Sequence, residues 1–166
     1  MGLENVVAAV DRVESLLADG ETGPVQDSLS WQEDDADIQL GKACAMLGTC
    51  RQLRHGSNNY VSLVELSFNA IERSFQFYLV DQTAASSADY RDHGQVFKDI
   101  AARGVFSDEE VAGRIDALRS KHRSRIYYDV DRPGRDLAHG MHDLAAEVHA
   151  YVVEFAAAHS RCHCPV

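Results

Sequence analysis

A chain of 166 residues is long enough for one domain with a real core. Its 16 Lys and Arg against 26 Asp and Glu leave a formal charge of −10, so any contact with nucleic acid or an anionic membrane must use a local patch. Only three of the sixteen basic residues are Lys, and Asp outnumbers Glu 16 to 10, the bias expected of a halophilic, haloarchaeal cytoplasm where hydrated carboxylates keep protein dissolved.

Apolar spacing is helical throughout, with no sustained period-two run, which predicts an all-α fold. The N-terminus, MGLENVVAAVDRVE, carries acids where a signal peptide needs basic residues, so a cytoplasmic location is expected. Val6, Val10, Val13 and Leu17 define an N-terminal helix within residues 1–19, ended by Gly20. After the loop GETGPVQDSLS, Ser30 and Glu33 form a capping box, and Glu33, Asp34, Asp35 and Asp37 load the first turn of a second helix. That helix places Leu40, Ala43, Leu47 and Cys50 on one face and stops near His55-Gly56-Ser57-Asn58-Asn59. Cys44 and Cys50, six apart on it, face different sides.

The next helix carries the stripe Val61, Val64, Phe68, Ile71, Phe75 and Leu79, widened by Leu63, Leu66, Ala70 and Phe77, which predicts a central position. Five polar or charged residues interrupt it, so it is a buried helix and not a membrane span. A short helix with His93, Phe97 and Ile100 in register closes at Gly104. Ser107 and Glu110 then form a capping box, with Phe106 and Val111 placed for a hydrophobic staple. This helix shows Val111, Ile115, Leu118, His122 and Ile126, and breaks at Tyr128-Asp129-Val130-Asp131. The final helix, capped by Asp131, shows Leu137, Met141, Leu144, Val148, Val152 and Phe155 and runs to about His159. The expected architecture is one domain, an antiparallel up-and-down bundle of five to six helices with a flexible tail over 159–166.

Three groups of residues carry chemistry. From Arg114 to Arg135 there are seven Arg or Lys against three acids, a local net of +4 that leaves −14 for the rest. Arg119 and Arg123 share a helix face, as a pair gripping phosphate or carboxylate would; pairing with acids of a neighbouring helix is the competing role. The final helix carries His139, His142 and His149, read as a polar face or partner surface, although His139 and His142 could share a metal. The tail HSRCHCPV holds His159, Cys162, His163 and Cys164, chemically a metal-ligand set but packed more tightly than usual zinc spacing. No secreted disulfide framework is present, and no cofactor is expected.

The order of the segments KACAMLGTCRQLRHG, YVSLVELSFNAIERSFQFYLV and LRSKHRSRIYYD resembles the HEPN domain, a higher-eukaryote and prokaryote nucleotide-binding fold, in divergent form over about residues 36–158. The resemblance implies a homodimer formed through the motif helices. It also implies either a metal-independent ribonuclease or the partner of a nucleotidyltransferase in a toxin–antitoxin or defence module. The family's motif is an Arg, a polar residue, three positions and then His. Arg123 matches the Arg, but Tyr128 takes the histidine's place. A tyrosine with a pKa of roughly 10 is only about 0.1% ionised at neutral pH, a poor base that can still stack on a nucleobase.

The function expected from the resemblance is therefore nucleotide or RNA binding, or partner binding, through Arg119, Lys121, Arg123, Arg125, Tyr127 and Tyr128. One alternative is an active endoribonuclease with a displaced histidine, either His122 or His139 paired with Arg132. The other is a structural or metal-binding helical bundle.

Overall fold

A computed structural model describes residues 35–83, 85–90, 92–106, 110–128 and 132–164, with the backbone alone for 122–128. The chain divides into two compact units, residues 1–31 and 32–166, and every described residue belongs to the second. The expected helix at residues 1–19, the capping boxes at Ser30 and Ser107 and the Asp131 cap lie outside the described residues.

Among the described residues the fold is all-helical: α1 (Asp35–Gly56), α2 (Tyr60–Asp81), a 3-10 turn (Ser87–Tyr90), α3 (His93–Ala102), α4 (Glu110–Tyr128) and α5 (Arg135–Phe155). None of these helices is long and apolar enough to cross a membrane.

Helix α2 is central, as its wide stripe predicts: 14 of its 22 residues are buried. It begins where the Asn59 side chain accepts a hydrogen bond from the Ser62 N–H at 3.2 Å, a cap supplied by the polar turn between α1 and α2. Helix α1 covers one side of α2 with Ala36, Leu40, Ala43, Leu47 and Cys50. Its first-turn Asp35 accepts from the Ser87 backbone N–H at 2.7 Å and hydroxyl at 2.8 Å, which ties the 3-10 turn to the start of α1. Those bonds hold the Asp35 carboxyl below the usual range. Asp92 caps α3 by accepting from the Gly94 N–H, and Gly104 at φ +62° ends that segment in the left-handed conformation glycine tolerates.

Helix α5 covers another side of α2. Tyr60 meets His139, Ser74 meets His149 and Tyr78 meets Phe155, so residue numbers rise together and the two helices run in the same direction. Cys44 meets His149 and Arg54 meets His142, so α1 runs against α5. The bundle is therefore not purely antiparallel, because the α3–α4 excursion returns the chain to the starting end of α2 before α5 begins.

The buried face of α5 also differs from the expected stripe. It comprises Ala138, Met141, His142, Ala145, Val148, His149, Val152 and Val153, while Leu137 and Phe155 are about half exposed. Two histidines with partners take positions that a hydropathy pattern assigns to surface. Leu118 on α4 is likewise exposed, because α4 turns Ala112, Ile115 and Arg119 inward. Phe106 does pack inward, edge-on to Phe75 and stacked on Tyr151.

The chain leaves α5 through a reversal. Ala157 adopts φ 52°, and the Ala158 N–H reaches back to the Val153 carbonyl at 2.9 Å, the long bond of a Schellman turn. Residues 158–164 then fold back over the bundle, whereas the sequence predicts a flexible tail. Arg161 donates to Asp37 through Nε at 2.7 Å and to Asp81 at 2.5 Å, with its guanidinium 5.2 Å from the Phe77 ring centre. The tail is thereby clasped to the start of α1 and the end of α2.

Replacing Phe75, which is fully buried and edge-packed on Phe97 and Phe106, is expected to cost about 3–5 kcal/mol as Phe75→Ala. Thermal unfolding monitored by circular dichroism measures this, and a drop under about 2 °C would contradict the core assignment.

Candidate metal centre

The reversal after α5 brings four ligand-bearing side chains to one point. Cys44 lies on α1, His149 on α5, and Cys162 and Cys164 on the returning tail. Their ligand atoms all lie within 4.8 Å of one another. Cys44 Sγ is 3.7 Å from both His149 Nε2 and Cys162 Sγ. His149 Nε2 is 3.4 Å from Cys162 Sγ and 3.2 Å from Cys164 Sγ. A tetrahedral zinc ion with ordinary bond lengths separates sulfur from sulfur by about 3.8 Å and sulfur from nitrogen by about 3.6 Å. The four groups therefore stand near ligation spacing, and their three sulfurs and one imidazole nitrogen form a donor set that suits zinc.

The imidazole is oriented from behind. Ser74, fully buried on α2, donates its hydroxyl to the Ala70 carbonyl at 2.8 Å. Its oxygen is thus left to accept from His149 Nδ1 at 2.9 Å. This pairing assigns the proton to Nδ1 and turns the Nε2 lone pair toward the thiols, the arrangement that supports metal-bound histidines.

Charge in the cluster is uneven. The Cys44 thiol is pushed down to about 4, chiefly by the hydrogen bond from the Cys164 thiol, against burial. Cys164 is pushed up because it keeps the proton it shares with Cys44, and Cys162 is pushed up by burial. One thiolate resists the formation of two more beside it, and a bound dication removes that resistance.

A cleft of about 460 Å³ borders the centre, lined by Leu47, His142, Glu147, Val153 and His159 together with three of the four cluster residues. His159 is exposed there and is not in the ligand set. His163 is exposed too, while its neighbours Cys162 and Cys164 turn inward. Alternate side chains of this short irregular run face opposite ways, which removes the crowding expected if all three were ligands. Cys50 stands apart, fully buried beside Leu63 and Ser67, its thiol pushed up by burial, so Cys44 and Cys50 do face different partners.

His142 has another role. Its Nδ1 accepts from Arg54 at 2.9 Å, and Arg54 also pairs with Asp143. Burial and the Arg54 charge hold the His142 imidazole below its ordinary value. His139 is half-buried against Tyr60.

The basic segment falls on α4. Arg119 is buried, donates to Asp116 Oδ1 at 2.6 Å and 3.0 Å, and lies 5.1 Å from the Phe97 ring centre, so it serves the α3–α4 contact. Lys121 is exposed. His122, Arg123, Arg125, Tyr127 and Tyr128 belong to the α4 backbone, and their side chains lie outside the described residues, as does Val130.

Cys162 and Cys164 are visible in the sequence as ligand types, whereas nothing in its local patterns joins Cys44 and His149 to them. The available signal is a cysteine and a histidine, each one position beside a buried stripe residue (Ala43 and Val148). A model of a family described as a domain of unknown function, DUF8154, matches residues 1–164, a span that includes all four cluster residues. The chain belongs to the DUF8154 family. No curated protein and no solved structure matches it.

In this DUF8154 chain the Ser74 contact gives a direct check. Ser74→Ala is expected to weaken zinc binding about 10- to 100-fold, measured by competition with a chromophoric chelator. Unchanged affinity would remove Ser74 from the support of His149.

Proposed function

We propose that the chain is a zinc-binding helical bundle in which the metal fastens residues 158–164 across α1 and α5. The observation that carries this reading is the convergence of Cys44, His149, Cys162 and Cys164 within 4.8 Å. Four protein ligands leave a tetrahedral ion no open position, which favours a structural role over a catalytic one. Metal bound to the folded state alone stabilises it by mass action, about 4 kcal/mol when free zinc exceeds its dissociation constant 1,000-fold.

Metal analysis of the purified, zinc-supplied chain should find one equivalent. A strong chelator should lower the melting temperature by about 10 °C, and Cys44→Ser and Cys164→Ser should each lose most of the bound metal. A full equivalent retained by both variants would sink the reading.

A second reading rests on the HEPN resemblance. The chain would bind nucleotide or RNA, as a homodimer or with a nucleotidyltransferase, without cleaving RNA by Arg–His chemistry. Two observations favour it: α4 packs chiefly against α3, and the segment Arg114–Arg135 concentrates positive charge in an acidic chain. Arg119 is committed to Asp116 and Phe97, so contact would depend on Lys121, Arg123, Arg125, Tyr127 and Tyr128. Incubation with total RNA should then show binding that weakens in Arg123→Ala and no cleavage. Cleavage abolished by Arg123→Ala would replace this reading with that of an active endoribonuclease.

A further inference from the structure

A second cleft, about 370 Å³, opens where the turn between α1 and α2 meets the first turns of α5. It brings Arg54 and His55, from the end of α1, to Arg135 and His139 on α5. The described lining includes no acid and is otherwise almost wholly polar, in a chain where acids outnumber Lys and Arg 26 to 16.

Helix dipoles account for only half of this set. Arg54 and His55 sit in the last turn of α1, where cations are favoured. Arg135 and His139 sit in the first two turns of α5, where cations are disfavoured and an anion is favoured, and Asp136, outside the cleft lining, is the acid of that first turn. The α5 N-cap is Gly134, which offers no capping side chain to the first-turn N–H groups. An anion in the cleft reconciles both halves.

The wall is also fixed in place. Tyr60 donates its hydroxyl to Asn58 Oδ1 at 3.2 Å and packs edge-on to the His139 ring at 6.4 Å. Arg54 is held through one guanidinium nitrogen by His142 and Asp143. With little apolar surface in the lining, recognition is directed at the charged group itself. Arginine forks and imidazole N–H groups suit tetrahedral oxygens.

We propose that this cleft, framed by Arg54, His55, Arg135 and His139, binds a phosphate group, free or carried by a nucleotide. It is separate from the metal centre: Cys44 and Arg54 are ten residues apart on α1, and His139 and His149 ten apart on α5, about 15 Å of helix in each case.

The test follows the histidine ring signals of the zinc-supplied full chain by NMR, with sodium phosphate titrated against sodium chloride at matched ionic strength. His55→Gln and His139→Gln identify the two signals. Phosphate should shift both saturably and chloride should not. Arg135→Glu, at an exposed position, should weaken binding about tenfold or more while leaving metal content unchanged. Adenosine monophosphate binding no tighter than phosphate would identify free phosphate as the ligand, and tighter binding of it would identify a nucleotide. Shifts that follow ionic strength without saturating, or saturable binding unchanged in Arg135→Glu, would overturn the proposal. Zinc content is read on the same samples, so failure of the metal reading and failure of the cleft are separate results.

Discussion

Helix α2 must be covered on most of its circumference, and the rest of the described structure answers that requirement. With 14 of 22 positions buried, it cannot rest on one neighbour. Helices α1 and α5 flank it and α3 takes a further side. The polar groups that α2 carries inward must then be satisfied, and each becomes a fixed point. Glu72, 3% exposed, accepts from His93 and so sets the start of α3. Ser74 anchors His149 and so sets the place of the candidate metal centre. The location of the site follows from which buried positions of the central helix are polar.

The local architecture is readable from sequence because short-range chemistry governs it. The turn at 55–59 and the Gly104 stop rest on contacts within a few residues, and the central place of α2 follows from the width of its own apolar stripe. The face of α5 is less readable. His142 and His149 count as polar in any hydropathy scale, yet a histidine with a satisfied ring nitrogen can be buried like an apolar residue. Helix direction is not readable either, because it depends on the path through α3 and α4.

The candidate site is half legible for the same physical reason. Cys162 and Cys164 are neighbours whose donor chemistry is plain, but Cys44 lies 118 residues from Cys162 and 105 from His149. No spacing rule reaches across such separations. The basic segment shows the converse. Its charge is obvious in sequence, yet Arg119 turns inward to Asp116 and Phe97, which a count of charges cannot reveal.

The separation of the ligands also bears on how the domain is made. Cys44 sits near the start of the described chain, and Cys164 is its last described residue. During synthesis the first ligand is exposed long before its partners exist. An ion held by this set, as proposed, could not be enclosed until residue 164 has been added and the Ala157 reversal has formed. A chain halted a few residues before that point would include the five described helices and lack the donors that complete the set. Metal retention would then mark a chain in which both tail cysteines are present and folded back.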